Sequence, residues 1–224
     1  MNKIKVFFLQ LVICILVVLL VWAFFVARER NCWERIYKNS DNSVVEIYTL
    51  DIIQDDVGVT SGTGFVYRLK DKCIILTNRH VMSVFPSALI RFRDGIEELA
   101  TQVDASELHD LAVLEVENIN LKRYGVLQPG RVSDLQIGEE LMTIGHPRLE
   151  SHHISIGFYT GKSTDKNGLT LLRLSMAVDP GNSGGPLFNR KGQVVGIISR
   201  KVEDSANIAF AIPIDKVELL SFAR

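Results

Sequence analysis

The apolar and polar positions divide the chain into two very different parts. Residues 6–26 read VFFLQLVICILVVLLVWAFFV and contain no charged side chain. A helix of about 20 residues, at about 1.5 Å per residue, spans the hydrocarbon layer of a bilayer, which is about 30 Å thick. The pattern therefore predicts a transmembrane helix, and we interpret residues 1–27 as a membrane anchor.

A cleaved signal peptide is the alternative interpretation of this segment. The apolar core of a signal peptide is about 7–15 residues long and is followed by small residues at the cleavage site. Here the apolar run is longer, and it ends in Trp22, Phe24 and Phe25. These bulky residues favour a retained anchor.

The flanking charges bear on the orientation of the anchor. Lys3 and Lys5 precede it, and four basic residues follow it, which are Arg28, Arg30, Arg35 and Lys38. By the positive-inside rule, this excess would place the C-terminal part of the chain in the cytoplasm.

The remainder of the chain has a different pattern. Residues 28–42 are polar and are predicted to form a linker or a short helix. From residue 43 on, short alternating or β-branched runs recur between Gly, Asp and Asn, and such runs predict an all-β sandwich or barrel. The runs are residues 44–50, 64–67, 73–76, 88–92, 111–116, 141–144, 154–159, 169–176, 194–199 and 208–212. Residues 215–222 are predicted to form a short closing helix capped by Asp215, so the globular domain is expected to cover residues 43–224.

Composition removes some classes of function. Lys and Arg number 25 against 26 Asp and Glu, so no net basic surface points to a nucleic-acid partner. The three cysteines, Cys14, Cys32 and Cys73, do not make a disulfide framework. An intermolecular bridge or lipidation at Cys32 stays open.

Candidate chemistry begins with Ser183, which lies in the glycine-rich stretch DPGNSGGPLF. A serine hydroxyl is a weak nucleophile unless a base takes its proton. His80 follows the apolar run CIIL, and Asp110 precedes the apolar run LAVL, so both are expected at strand ends. Asp104 is the alternative to Asp110 as the carboxylate, and His109 is the alternative to His80 as the base.

Four segments, SGTGFVY, ILTNRHV, HDLAVLEV and PGNSGGPL, occur in this order. Together with VVGIIS and IAFAIP, they resemble the HtrA/Deg branch of the trypsin-like serine proteases over roughly residues 43–215. The resemblance implies two six-stranded β-barrels with an active site in the cleft between them. It implies Ser183 as nucleophile, His80 as general base and Asp110 as the group that orients the imidazole. The N–H groups of Gly181 and Ser183 would then form an oxyanion hole.

The same resemblance suggests a substrate pocket. Ala177 corresponds to its base, Ala209 to its wall, and Ser199 to the start of a substrate-binding strand. Because no acidic residue lies at the pocket base, we expect a preference for small or aliphatic residues at P1. Asn182 stands where digestive trypsins have an aspartate. We therefore expect the protein to be active without proteolytic cleavage at its N-terminus.

Other expectations concern cofactors and partners. His146, His152 and His153 lack compact ligand spacing, so no metal and no cofactor are expected. The chain ends at Arg224, and no PDZ domain is expected within it. Members of the family often form trimers through N-terminal segments of the protease domain, to which Trp33 and Tyr37 could contribute here.

These observations lead to one main hypothesis and two alternatives. The main hypothesis is a membrane-anchored serine endopeptidase for protein or peptide substrates, whose catalytic domain is periplasmic or extracytoplasmic by analogy with anchored relatives. That location opposes the one indicated by the flanking charges. The alternatives are a tethered protein-binding scaffold that does not cleave and an esterase that uses Ser183.

Overall fold

The structure is a computed structural model that describes residues 3–30, 32–53, 56–82, 85–117, 119–146, 153–165, 168–201 and 207–220. Helix α1, Lys3–Arg30, is 28 residues long. Within it, Val6–Phe24 has a mean hydropathy of 3.0, and none of this stretch is buried among the described residues. This stretch is long and apolar enough to cross a membrane, a property that signal sequences share.

Helix α2, Cys32–Ser40, follows and lies within the segment predicted as a linker or short helix. Its buried residues, Cys32, Ile36 and Ser40, are spaced four apart and therefore share one face. The Cys32 thiol donates to the Arg190 carbonyl at 3.2 Å. The helix is thus fixed to the globular part of the chain.

The first barrel has six antiparallel strands. They are β1 (Val44–Ile53), β2 (Asp56–Leu69), β3 (Lys72–Thr77), β4 (Ser87–Arg91), β5 (Glu97–Ser106) and β6 (Leu111–Glu115). The strand order is β1-β2-β3-β6-β5-β4, and pairing of β1 with β4 closes the barrel, with Glu46 opposite Arg91. A short helix, α3 (Leu121–Tyr124), begins the connection to the second barrel.

The second barrel also has six antiparallel strands. They are β7 (Glu140–Gly145), β8 (His153–Thr164), β9 (Thr170–Ser175), β10 (Pro186–Phe188), β11 (Val194–Lys201) and β12 (Ile208–Pro213). The order is β10-β11-β12-β9-β8-β7, closed by β10 and β7, with Leu187 opposite Thr143. The prediction of two six-stranded barrels is confirmed.

The closing helix differs from its prediction. It is a 3-10 helix, Ile214–Leu219, whose N-cap position is Pro213. Asp215 lies in its first turn, and no side chain caps the helix. Residues 221 and 222 of the predicted helix lie outside the described residues.

Both faces of strand β3 are buried, which explains its continuous apolar sequence. Ile75 points into the core of the first barrel. Ile74 and Leu76 belong to the larger apolar cluster that includes the core of the second barrel. The side chains of strand β6 are divided between the two clusters in the same way, so the paired strands β3 and β6 lie between the two apolar clusters.

Candidate active site

Strand pairing brings His80 and Asp110 together. Thr77, the last residue of β3, pairs with Ala112 near the start of β6. His80 follows in a short 3-10 helix, Arg79–Val81, and Asp110 precedes β6 directly. The two side chains therefore extend from the same edge of the sheet.

Several hydrogen bonds fix this pair. His80 Nδ1 lies 2.8 Å from Asp110 Oδ2 and 3.0 Å from Oδ1. The His80 backbone N–H also donates to Oδ1 at 3.1 Å. The Asp110 carbonyl accepts from the Arg79 N–H and from Asn78 Nδ2, at 3.2 and 3.1 Å. The carboxylate thus holds the imidazole by one ring nitrogen and leaves Nε2 for another partner.

Asp110 has a left-handed backbone conformation, with φ of 52°. Few residues other than glycine adopt this conformation, although aspartate tolerates it better than most. The conformation is held by the turn that precedes β6, in which the Asp110 N–H donates to the Glu107 carbonyl. Strained backbone of this kind is often found at functional sites.

Ser183 lies in the turn between β9 and β10. The Asn182 N–H donates to the Asp179 carbonyl, and the Gly185 N–H donates to the Asn182 carbonyl, both at 3.0 Å. Gly181 has φ of 104°, a value that side chains disfavour. These constraints shape a compact turn with Ser183 at its partly exposed apex.

Ser199 connects Ser183 with Asp110. The Ser183 hydroxyl donates to the Ser199 carbonyl at 3.0 Å, and the Ser199 hydroxyl donates to Asp110 Oδ2 at 3.1 Å. The pairing of β11 with β12 shifts register between Ile198 and Arg200, so Ser199 lies at a bulge. The contact with Asp110 was not expected for Ser199, which sequence reasoning assigned to substrate binding.

Two N–H groups of the turn remain available to a ligand. Within the described part of the chain, the N–H groups of Gly181 and Ser183 donate to no acceptor. Backbone N–H groups are usually satisfied in folded proteins, so two such exceptions on either side of Asn182 are unusual. The resemblance named these two residues as the donors of an oxyanion hole, and that role stays a prediction.

Thr63 of β2 was not identified from the sequence as a residue of the site. Its N–H donates to the Ser183 carbonyl at 2.8 Å, and its hydroxyl donates to the Gly181 carbonyl at 2.6 Å. Its position at the centre of the segment SGTGF was the available signal, but its partners are more than 100 residues away in the sequence.

The predicted pocket residues have different environments. Ala177 is exposed beside the turn, whereas Ala209 of β12 is fully buried in the second barrel. Ser199 borders a cavity of about 400 Å³ that also touches His80 and Asp110. The structure therefore brings Ser199 to the His80–Asp110 pair, and it places the Ala209 side chain in the apolar core.

Asn182 is packed inside the second barrel, with 1% of its surface exposed. A side chain at Gly145 would overlap the Asn182 side-chain oxygen, so the two residues pack in direct contact. Glycine at 145 thus leaves the space that the uncharged amide fills.

The remaining polar candidates lie in different places. His109 contacts Ser106 Oγ at 3.1 Å, and partial burial, followed by the charge of Lys216, lowers its pKa. Asp104 lies in β5 and accepts from the Ala105 N–H. His146 is buried after β7 and His153 is exposed in β8, while His152 lies outside the described residues. Among the described residues, no His, Cys, Asp and Glu group has the arrangement of a metal site.

Comparison with known proteins agrees with this geometry. Residues 62–197 match the family described as "Trypsin-like peptidase domain". The chain is 38% identical over 162 residues to the "Probable periplasmic serine endoprotease DegP-like" of Hahella chejuensis (strain KCTC 2396), covering 70% of this chain and 34% of the relative. It is 33% identical over 177 residues to the "Serine protease Do-like HtrA" of Bacillus subtilis (strain 168), covering 73% of this chain and 39% of the relative. The match therefore spans little more than a third of either relative.

Solved structures have the same fold. The "HtrA-type protease AlgW with tripeptide" superposes with a TM-score of 0.71 at 25% identity, covering 82% of this chain and 60% of that chain. The resemblance to HtrA-type proteases that the sequence motifs indicated is confirmed. The chain belongs to the trypsin-like peptidase domain family.

Proposed function

We propose that this chain is a serine endopeptidase that cleaves protein substrates through an acyl-enzyme. One observation carries the proposal: His80, Asp110, Ser199 and Ser183 are connected by hydrogen bonds beside two N–H groups that lack a described acceptor. A base, a nucleophile and anion-binding donors are the parts that acyl transfer requires.

In the proposed reaction, the Ser183 hydroxyl first breaks its hydrogen bond to the Ser199 carbonyl. It then transfers its proton to His80 Nε2 while Ser183 Oγ attacks the scissile carbonyl carbon. The carbonyl oxygen becomes an oxyanion and accepts hydrogen bonds from the N–H groups of Gly181 and Ser183. The C–N bond then breaks, and the amine leaves with the proton from His80. A water molecule hydrolyses the acyl-enzyme by the same steps, while Asp110 stabilises the imidazolium.

The proposal includes a preference for small or aliphatic P1 residues. Ala177, the expected pocket base, carries no carboxylate, so a basic P1 side chain would have no ionic partner there. A library of peptides with varied P1 residues tests this directly. Strong cleavage after Arg or Lys would contradict it.

The proposal also includes the domain organisation and location. Residues 1–27 would anchor the chain by a single pass, residues 28–42 would connect the anchor to the barrels, and residues 43–224 would form the protease domain. Relatives named as periplasmic support an extracytoplasmic protease domain. The basic residues that follow the anchor favour the opposite orientation.

The first experiment is covalent labelling of the full-length protein in detergent with a fluorophosphonate probe. We expect an adduct on Ser183, identified by mass spectrometry, that is absent in Ser183→Ala. Ser133→Ala is the matched control because Ser133 is exposed and bonds only to the neighbouring Asp134 among described residues. A folded wild-type protein that remains unlabelled would contradict the proposal.

A non-cleaving protein-binding scaffold is the second candidate. The observation that favours this alternative is that no described hydrogen bond joins the Ser183 hydroxyl to His80, since this hydroxyl donates to the Ser199 carbonyl. If the protein is a scaffold, wild type and Ser183→Ala should bind peptides with equal affinity. Neither protein should release a cleavage product.

A further inference from the structure

We propose that Thr63 is a positioning residue that holds the oxyanion-binding turn from the first barrel. This inference rests on the proposed function, because it assigns Thr63 a role in arranging the backbone from Gly181 to Ser183, and with it the Ser183 N–H. Thr63 is fully buried and lies on β2, whereas the turn belongs to the second barrel.

Thr63 contacts the turn at two points. Its backbone N–H donates to the Ser183 carbonyl at 2.8 Å. Its hydroxyl donates to the Gly181 carbonyl at 2.6 Å and accepts from the His146 backbone N–H at 3.1 Å. A carbonyl oxygen can only accept, so the Thr63 hydroxyl is the donor in its contact with Gly181. The same hydroxyl also lies 3.4 Å from His146 Nδ1, a longer contact.

These contacts restrict the backbone that carries the anion-binding groups. A peptide unit is planar, so holding its carbonyl also holds the N–H of the same unit. The unit between Asn182 and Ser183 lies between the two carbonyls that Thr63 holds. Its own carbonyl accepts from the Gly185 N–H at 3.0 Å. The direction of the Ser183 N–H is therefore fixed from three sides.

Gly181 needs the hydroxyl contact more than Ser183 does. Glycine has the greatest backbone freedom of all residues, and Gly181 adopts φ of 104°. Without the Thr63 hydroxyl, the Gly181 carbonyl would lose its only described donor while remaining buried. The turn would then sample other orientations of its N–H groups.

The neighbours of Thr63 allow this close approach. A side chain at Gly62 would overlap Val81, and one at Gly64 would overlap Ile47 and Ile75. The Thr77 hydroxyl holds the Thr63 carbonyl at 2.7 Å. The glycines of the SGTGF segment thus let β2 pack tightly, and Thr63 projects from this fixed strand across to the second barrel.

The test compares Thr63→Val with Thr63→Ser in the full-length protein. Valine keeps the shape of threonine and removes the hydroxyl, whereas serine keeps the hydroxyl. Loss of one direct oxyanion donor typically lowers the rate about 10²–10³-fold, so loss of its support should lower the Ser183 labelling rate constant about tenfold or more. We expect Thr63→Ser to label within about threefold of wild type.

Thr143→Val is the matched control for losing a buried hydroxyl. Thr143 is 1% exposed, and its hydroxyl donates to the Pro186 carbonyl at 2.9 Å. We expect this variant to lower the melting temperature about as much as Thr63→Val, with a labelling rate close to that of wild type.

The rate constant is taken from the time course of labelling. A smaller folded fraction lowers the final amount of labelled protein and leaves this rate constant unchanged. For peptide cleavage, we expect Thr63→Val to lower kcat with little change in KM, because the contact acts on the charge that develops during reaction. The pH dependence should keep its midpoint, since His80 and Asp110 are unchanged.

Wild-type labelling by Thr63→Val, or equal losses in Thr63→Val and Thr63→Ser, would overturn the role of the hydroxyl and leave the proposed function intact. Absence of Ser183 labelling in wild type would instead overturn the proposed function, and this inference with it.

Discussion

Gly184 directly follows the proposed nucleophile and has no space for a side chain. Its φ is 85°, and an added Cβ would overlap the Thr63 carbonyl oxygen and the Thr77 hydroxyl. Gly95 has nearly the same φ of 82°, but no atom of the described residues lies within 4 Å of a Cβ added there. An alanine at Gly95 would therefore cause backbone strain alone, whereas an alanine at Gly184 would cause both backbone strain and steric overlap.

We expect Gly95→Ala to lower the free energy of unfolding by about 1–2 kcal/mol, the cost of a left-handed residue with a side chain. Gly184→Ala should cost more than about 4 kcal/mol, because the overlapping atoms belong to the paired strands β2 and β3, which cannot move easily. Urea unfolding followed by circular dichroism measures both values. Equal losses would contradict the steric explanation.

Tyr48 is the second residue for which the structure predicts a measurable effect. Burial, followed by a hydrogen bond to the buried Glu46 carboxylate, raises the pKa of Tyr48 to about 12. Its ordinary pKa is 10.0, so the folded state binds this proton more tightly than the unfolded state does. The resulting stability is fully present below pH 10 and is lost as the pH rises towards 12.

We therefore expect the difference in unfolding free energy between wild type and Tyr48→Phe to become smaller between pH 10 and 12. Urea unfolding of both proteins at pH 9, 10.5 and 11.5 measures this difference. Because the other tyrosines are present in both proteins, their titration cancels. A difference that stays constant over this range would show that Tyr48 has no raised pKa.

At the scale of elements, α2 is attached to both barrels. The Trp33 indole N–H donates to Glu140 of the second barrel at 2.7 Å. Arg93, which follows β4 of the first barrel, contacts Asp41 at 2.6 Å and donates to the Tyr37 hydroxyl at 2.7 Å. Trp33 and Tyr37, considered above as trimer contacts, therefore pack against their own chain, and the homo-trimer stays a prediction.

Arg93→Ala should lower the free energy of unfolding at pH 7 by about 1–3 kcal/mol, because it removes a charged partner from the largely buried Asp41. Lys38→Ala is the control. It breaks an exposed pair with Glu34 on α2, which solvent screens, so the free energy of unfolding should hardly change. Thermal unfolding measures both, and similar small losses would mean that the Arg93 contact does not secure α2.

The sequence predicted most elements because their apolar residues face the cores. Ten strands correspond to the ten runs identified from the sequence. Strand β5 has no such run, since its Leu99 is 66% exposed while its fully buried residue is Ala100. Strand β10 spans only Pro186–Phe188, too short to produce a periodic signal. Both were therefore found only in the structure.

The candidate site was predictable to a different extent. Motifs pointed to His80, Asp110 and Ser183 because local residue types mark them. The contacts of Thr63 and Ser199 depend on the relative position of the two barrels and on a bulge in β11. Such long-range contacts leave no periodic trace in the sequence.

At the scale of the whole molecule, the role proposed for α1 as a membrane anchor can be tested directly. We expect the full-length protein to stay with the membrane after extraction with alkaline carbonate. Arginines at both Ile13 and Val17, one helical turn apart within the apolar stretch, should release it, because each costs about 2.5–3.5 kcal/mol at the centre of a span. A mature protein that lacks the apolar stretch by mass spectrometry would instead show a cleaved signal sequence.

A reporter joined after Arg224 then tests the orientation. We expect alkaline phosphatase to be active there, as it is only outside the cytoplasm, and a fluorescent protein that folds only inside to be dark. The reverse result would show that the basic residues following α1 set the orientation, as the positive-inside rule indicates.

The bonds from Thr63 to the Ser183 turn have a consequence for the chain during its synthesis. The first barrel, which leaves the ribosome first, contains the proposed base and its carboxylate but no nucleophile. The second contains the nucleophile, but its turn is held by a residue of the first. We therefore expect a chain whose second barrel is incomplete to lack the proposed proteolytic activity, which would appear only when both barrels have folded.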